Sequence, residues 1–167
     1  MTKKVVSLSR IKKIVRNLKR RGRKIGLITG GFDIIHLGHV VLFRFAKKYV
    51  DVLVVGVEND ENIKNAKGKG RPINSLAKRT NFLSEIVSVD YIFPIQKKYD
   101  FEKEGDEVLG EIVRRVGPTH LITHKRCDRY WKNKKVRAGK LGIKFLMDRS
   151  KMKDTSGKII ERIQSEL

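Results

Sequence analysis

Two histidines three residues apart, His36 and His39, follow a pair of glycines in Thr29-Gly30-Gly31-Phe32-Asp33-Ile34-Ile35-His36-Leu37-Gly38-His39. Glycines let a backbone turn tightly and come close to a ligand. If a helix starts near His36, residues 36 and 39 share one face, and Gly38 keeps that face low. A helix N-terminus offers unpaired N–H groups and partial positive charge, which suits phosphate. Two imidazoles there can donate hydrogen bonds to phosphate oxygens, most effectively as charge builds on an attacked phosphate and its leaving group. Such chemistry works by positioning and electrostatics, without a covalent step. No cysteine or carboxylate cluster stands beside the pair, so it does not read as a zinc site and no metal-ligating residue is assigned.

The elements that must position these side chains alternate between strand and helix. Leu8, Ile11, Ile14, Val15 and Leu18 recur at helical spacing, which predicts an amphipathic helix over 8–20. Ile25 to Thr29 is a short apolar run closed by the glycines, a first strand. Residues 40–48 follow as a helix, and valine-rich 52–57 as a buried parallel strand. A polar loop is expected over 58–74, helices over 75–86 and 106–116, and strands over 91–94, 119–123 and 143–147. A last helix covers 156–164. The pattern predicts an α/β fold: a single Rossmann-like domain, with a parallel five-stranded sheet and helices on both faces. Residues 1–24 form a basic helical segment packing on a core domain of residues 25–167. Ligands in such sheets bind beyond the carboxyl ends of the strands, where the histidine motif falls.

Gly31-Phe32-Asp33 with His36-Leu37-Gly38-His39 resembles the signature of the cytidylyltransferase-like nucleotidyltransferase superfamily. Further stretches resemble it too: Phe45-Ala46-Lys47, Val54 to Val57 leading to Asp60, Lys67 to Asn74 followed by Arg79, Val89-Asp90, and Thr155-Ser156-Gly157-Lys158 opening the last helix. By pattern the nearest members are heptose-1-phosphate adenylyltransferase domains, glycerol-3-phosphate cytidylyltransferases and archaeal FAD synthetases. The resemblance implies transfer of NMP from an NTP, ATP or CTP, to a small phosphorylated acceptor, with Mg2+ as cofactor and pyrophosphate as product. It implies catalytic roles for His36, His39 and Lys47. It implies nucleotide contacts from Thr29, Gly30, Gly31, Phe32, Asp128, Thr155 and Ser156, and acceptor contacts from Asp60, Arg71 and Arg79. Homodimers are common in the family.

Each of these assignments has a plainer competitor. Lys47 competes with one more surface lysine, and Thr155 and Ser156 with an ordinary helix cap. Arg79 competes with a solvated helix face, and Asp60 with a turn residue. Asp33 reads as fixing its loop. Two departures from the family are visible. Thr123 to Trp131 is bulky and basic where many relatives carry Gly-Gly-Asp, with Asp128 keeping an acid and His124 a possible third phosphate ligand. Gly157 replaces a second threonine.

Composition bounds the alternatives. The net charge is +21 over 167 residues. Residues 1–24 hold eleven Lys/Arg and no acid, and residues 124–153 hold twelve against Asp128 and Asp148. That excess draws polyanions, whether nucleotides or nucleic acid. A nucleic-acid-binding protein, with Tyr130-Trp131 stacking on bases, and an inactive NTP sensor are therefore the competing functions. FMN adenylylation competes within the enzyme class. A single cysteine, Cys127, excludes an internal disulfide and points to a reducing cytoplasm. No apolar run is long enough to span a membrane.

Overall fold

The computed structural model describes residues 4–151 and 155–166, so the outermost parts of both basic segments, at 1–3 and 152–153, lie outside the described residues. Five strands, β1 (Ile25–Gly30), β2 (Val52–Glu58), β3 (Tyr91–Ile95), β4 (His120–His124) and β5 (Lys144–Asp148), form one sheet in the order β3-β2-β1-β4-β5. Every pairing is parallel: Ile25 to Gly30 face Val52 to Val57, and His120 to His124 face Lys144 to Asp148. Seven helices surround it: α1 (Leu8–Arg20), α2 (Leu37–Lys47), α3 (Asp60–Lys67), α4 (Leu76–Ser84), α5 (Gly105–Val116), α6 (Trp131–Lys140) and α7 (Ser156–Ser165). The architecture is the α/β domain that the alternation predicts.

Strand side chains alternate between two cores. Ile25, Leu27, Val52, Val54, Phe93 and Leu121 pack with Ile11 and Val15 of α1, with α5, and with Ala138 of α6. Ile28, Leu53, Val55, Val57, Ile92 and Ile122 pack with Phe43 and Ala46 of α2 and Leu83 of α4. Helices therefore cover both faces. Crowding between neighbouring strands demands glycine at Gly56, where a Cβ would come within 2.8 Å of the Phe93 ring on β3. Helix α1 is integral: Ser7 caps it, Ile11 and Val15 are buried, and Val5 bridges to Ile92 at the β3 edge. Among the described residues no helix is long and apolar enough to cross a membrane.

Three boundaries depart from the sequence expectation. Helix α2 starts at Leu37 rather than at residue 40, because His36 caps it. Asp60–Lys67 is helical within the expected loop, started by the Asn59 side chain accepting from Asn62 N–H. Trp131–Lys140 is helical where the sequence suggests no element.

Candidate active site

Strand order reverses direction between β1 and β4, the crevice where open parallel sheets bind ligands. A cleft of about 530 Å³ opens there, between the ends of β1 and β4 and the starts of α2 and α7. That volume holds a nucleotide-sized ligand.

At its α2 side the chain leaves β1 through Gly30 and Gly31. The left-handed residue of the turn is not a glycine but Phe32, at φ 50°. Such a conformation is strained for a bulky residue. It is held because the Phe32 ring packs between His39 (5.3 Å) and Phe43 (5.8 Å). The glycines serve by smallness: a Cβ on Gly31 would meet Ile63 at 3.2 Å. Asp33 is buried and accepts from Ile73 N–H (3.1 Å) and Asn74 N–H (2.9 Å), fixing the loop as its reading anticipates.

The histidines form a reciprocal cap. His36 Nδ1 accepts from Gly38 N–H at 3.1 Å, and His39 Nδ1 accepts from His36 N–H at 3.4 Å. A neutral imidazole that accepts at Nδ1 carries its proton on Nε2. The backbone therefore assigns both rings the same tautomer. The rings lie 4.0 Å apart at their centroids. Burial, then the nearby His36 and Lys67, lower the His39 pKa from 6.5 to about 3, so this ring is neutral at physiological pH.

Thr155, Ser156 and Gly157 at the start of α7 line the same cleft, so two helix N-termini border one space. Thr155 is also the cap, accepting from Lys158 N–H at 3.3 Å. Lys67, at the end of α3, lines the cleft as well. Partial desolvation and the charge of Arg71 hold its ammonium below the usual lysine range.

The β4 side is a buried polar network. Lys134 Nζ donates to Thr29 O (2.8 Å) and pairs with Asp128 (2.6 Å), whose Oδ2 also accepts from Thr123 Oγ1 (2.5 Å). Burial works to raise the Asp128 pKa, but Lys134 and these hydrogen bonds hold it below the usual carboxylate range. Glu58 lies beneath, accepting from Tyr99 O–H (2.6 Å) and Asn62 Nδ2 (3.0 Å), and burial raises its pKa. Arg137 completes this wall, ion-paired with Asp106.

Thus the structure brings Thr29, Gly30, Gly31, Phe32, His36, His39, Asp128, Thr155 and Ser156 to one cleft. Four predicted residues go elsewhere. Lys47 sits at the far end of α2, about 16 Å along the helix from His36, and pairs with Asp90 at 2.9 Å and with Asp51 O. Arg79 is 0% exposed: Nε donates to Asn74 O, Nη1 to Gly31 O, and Nη2 to Glu58 O and Asp60 Oδ1. It clamps loops and cannot reach a ligand, and Asp60 is its partner. Arg71 pairs with Asp33 at 2.8 Å behind the loop rather than lining the cleft. His124 is not a phosphate ligand, since its Nδ1 accepts from Arg126 and Cys127 N–H groups and its Nε2 donates to Ser150 O. The Tyr130 ring stacks on Phe101 at 5.2 Å, within the molecule. Lys67, Lys134, Arg137, Glu58, Asp106 and Asn133 are polar cleft residues that sequence reasoning passes over. Of these, Glu58 and Lys67 lie in stretches already marked by resemblance.

Fold and site together define a Rossmann-like domain with a cleft suited to phosphate at its topological switch point. The chain belongs to the cytidylyltransferase-like family, whose sequence pattern matches residues 27–162. It is 33% identical over 129 residues to a protein named bifunctional protein HldE from Haemophilus ducreyi, covering 77% of this chain and 27% of that protein. It is 40% identical over 118 residues to the protein of that name from Desulfatibacillum aliphaticivorans, covering 71% and 22%. The chain therefore spans about a quarter of the length of these curated relatives. Among solved structures it resembles a lipopolysaccharide core biosynthesis protein from Thermoplasma volcanium, with TM-score 0.62, 26% identity, and coverage of 78% of this chain and all of that one. A pantoate-beta-alanine ligase from Francisella tularensis, at TM-score 0.60 and 17% identity over 98% of this chain and 78% of that one, shares the fold alone.

Proposed function

We propose that this chain transfers a nucleoside monophosphate from ATP or CTP to a sugar phosphate, releasing pyrophosphate. The observation that carries the reading is the histidine pair: both Nδ1 atoms accept from backbone N–H groups, which puts the ring proton on Nε2 of each. An acceptor phosphate oxygen attacks the α-phosphorus, and the bond to the bridging oxygen of the leaving pyrophosphate breaks. The histidine donors and the N-termini of α2 and α7 stabilise charge that builds on the α-phosphate and the leaving group. A neutral His39 acts as hydrogen-bond donor, with no proton transfer required of it. Lys67 supplies charge to the acceptor phosphate.

Among the described residues no group of three or more His, Cys, Asp or Glu is arranged to hold a metal ion. Mg2+ typically binds through nucleotide phosphates, so here it accompanies the triphosphate as part of the substrate. The similarity to proteins named HldE and to a lipopolysaccharide core biosynthesis protein supports a sugar phosphate as acceptor.

The test is pyrophosphate release from each NTP with Mg2+ against a panel of sugar phosphates, polyol phosphates and FMN. One productive pair is expected, with kcat lowered about 10²- to 10³-fold in His36→Ala and in His39→Ala. NTP binding without release from any pair would replace the transferase reading with a sensor, and absence of NTP binding would defeat both.

A further inference from the structure

We propose that the acceptor carries a second anionic group, a phosphate or carboxylate, that docks on Arg137 at the α6 wall of the cleft. The inference rests on the nucleotidyl-transfer reading, because it places the far end of that reaction's acceptor.

Arg137 lines the cleft, and its side chain is 7% exposed. A guanidinium offers five N–H donors in a planar fork suited to carboxylate or phosphate. Here Nη2 donates to Asp106, while Nε is buried with no hydrogen-bond partner. Among the described residues Nη1 has no protein acceptor either. A guanidinium that keeps one buried N–H unmatched is held at a cost, and Nη1, which has no protein acceptor and is not buried, is the donor that a ligand oxyanion can reach.

The charges around it agree. Lys134, one turn earlier on α6, is neutralised within the protein by Asp128. Arg137's own counter-ion is different in kind, because the Asp106 carboxylate is 60% exposed at the start of α5. Asn133 Nδ2 also donates to that carboxylate, at 2.6 Å, so a ligand anion joins or displaces a counter-ion that is itself largely solvated. Trp131, at the start of α6, also lines the cleft and gives the body of an organic acceptor an apolar surface.

Geometry sets the direction. The two helix N-termini and the histidines occupy the α2–α7 side, where the triphosphate and the reacting phosphate of the acceptor must meet. On α6, Lys134 reaches Thr29 at the end of β1 and Ala138 packs with α1 and α5, so the helix that carries Arg137 lies on the other face of the sheet from α2. An acceptor engaged at both places bears charge at both ends. A neutral far end would leave the Arg137 donors unmatched in the complex.

The test is calorimetric binding to the full chain of three probes that differ only at the far end of one sugar: glucose 1-phosphate, glucose 1,6-bisphosphate and glucuronic acid 1-phosphate. At least one doubly anionic probe should bind about tenfold more tightly than the monophosphate, since charge-assisted hydrogen bonds are the strong ones. Whether the bisphosphate or the uronate leads tells phosphate from carboxylate. In Arg137→Gln that advantage should collapse while NTP affinity stays the same. In Asp106→Asn, which frees the guanidinium and retains a side chain of the same size, it should grow. Equal affinity across the series, including no binding of any probe, overturns the inference, as does a preference that survives Arg137→Gln. Loss of NTP binding in Arg137→Gln, or failure of Asp106→Asn to raise the preference, assigns Arg137 a structural tie to α5 instead and also overturns it. The transferase reading fails separately, by absence of pyrophosphate release with the dianion preference intact.

Discussion

His39 is held neutral with its pKa lowered to about 3, chiefly by burial. The unfolded chain takes up this proton near pH 6.5, whereas the folded chain does not until about pH 3. Stability from this residue is therefore complete above pH 6.5 and declines as pH falls from 6.5 toward 3. The slope for one such group is about 1.4 kcal/mol per pH unit. His39→Asn keeps a side-chain acceptor for His36 N–H and removes the titration. Urea unfolding between pH 6.5 and 5 should show wild type losing about 1 kcal/mol more per pH unit than this variant. Parallel slopes would mean that His39 titrates normally. The histidine pair was legible because a turn, a cap and two rings occupy consecutive positions, so local chemistry determines their placement. Lys47 and Arg79 were not, because a cation's partner is chosen by tertiary neighbours: Asp90 for one, three backbone carbonyls and Asp60 for the other.

Elements carry the next level of order, and Arg79 is where three of them meet. Its guanidinium joins the β1–α2 turn at Gly31, the end of β2 at Glu58, and the loop before α4 at Asn74. Arg79→Leu leaves those carbonyls buried without donors, each costing about 1–3 kcal/mol. We expect a stability loss of at least about 3 kcal/mol by chemical denaturation. Arg79→Lys should not rescue it, since one ammonium cannot reach separated acceptors as a fork does. A loss below about 1 kcal/mol would mean that water replaces the clamp. The strands and the helices α1, α2, α5 and α7 were legible because each carries an apolar stripe or run. Helix α6 was not, because its buried residues are Lys134, Arg137 and Ala138. A charged inner face has no hydrophobic period to read. The feature that hides this helix is also what places two cations in the cleft, so element and site residues were missed for one reason. Helix α3 was hidden likewise, since the polar Asn62 is one of its two buried residues.

For the whole molecule, the sheet order places the reaction site and the charge sets its field. The β3-β2-β1-β4-β5 order puts the crevice between β1 and β4, and the two helix N-termini converge there with Lys67, Lys134 and Arg137. Net charge of +21 acts on the protein in two opposed ways. Like charges repel across the compact state and lower its stability, while the same field draws triphosphate toward the cleft. Salt weakens both, shortening the screening length from about 10 Å at 0.1 M to about 3 Å at 1 M. Raising NaCl over that range should therefore increase resistance to urea and at the same time weaken NTP binding by about tenfold, the lower end of what electrostatic focusing supplies. The two responses must have opposite signs, which separates this origin from general salting effects on folding. If stability and NTP affinity fell together, the basic residues would be acting through specific ion pairs, such as Lys134–Asp128, rather than through the field of the chain.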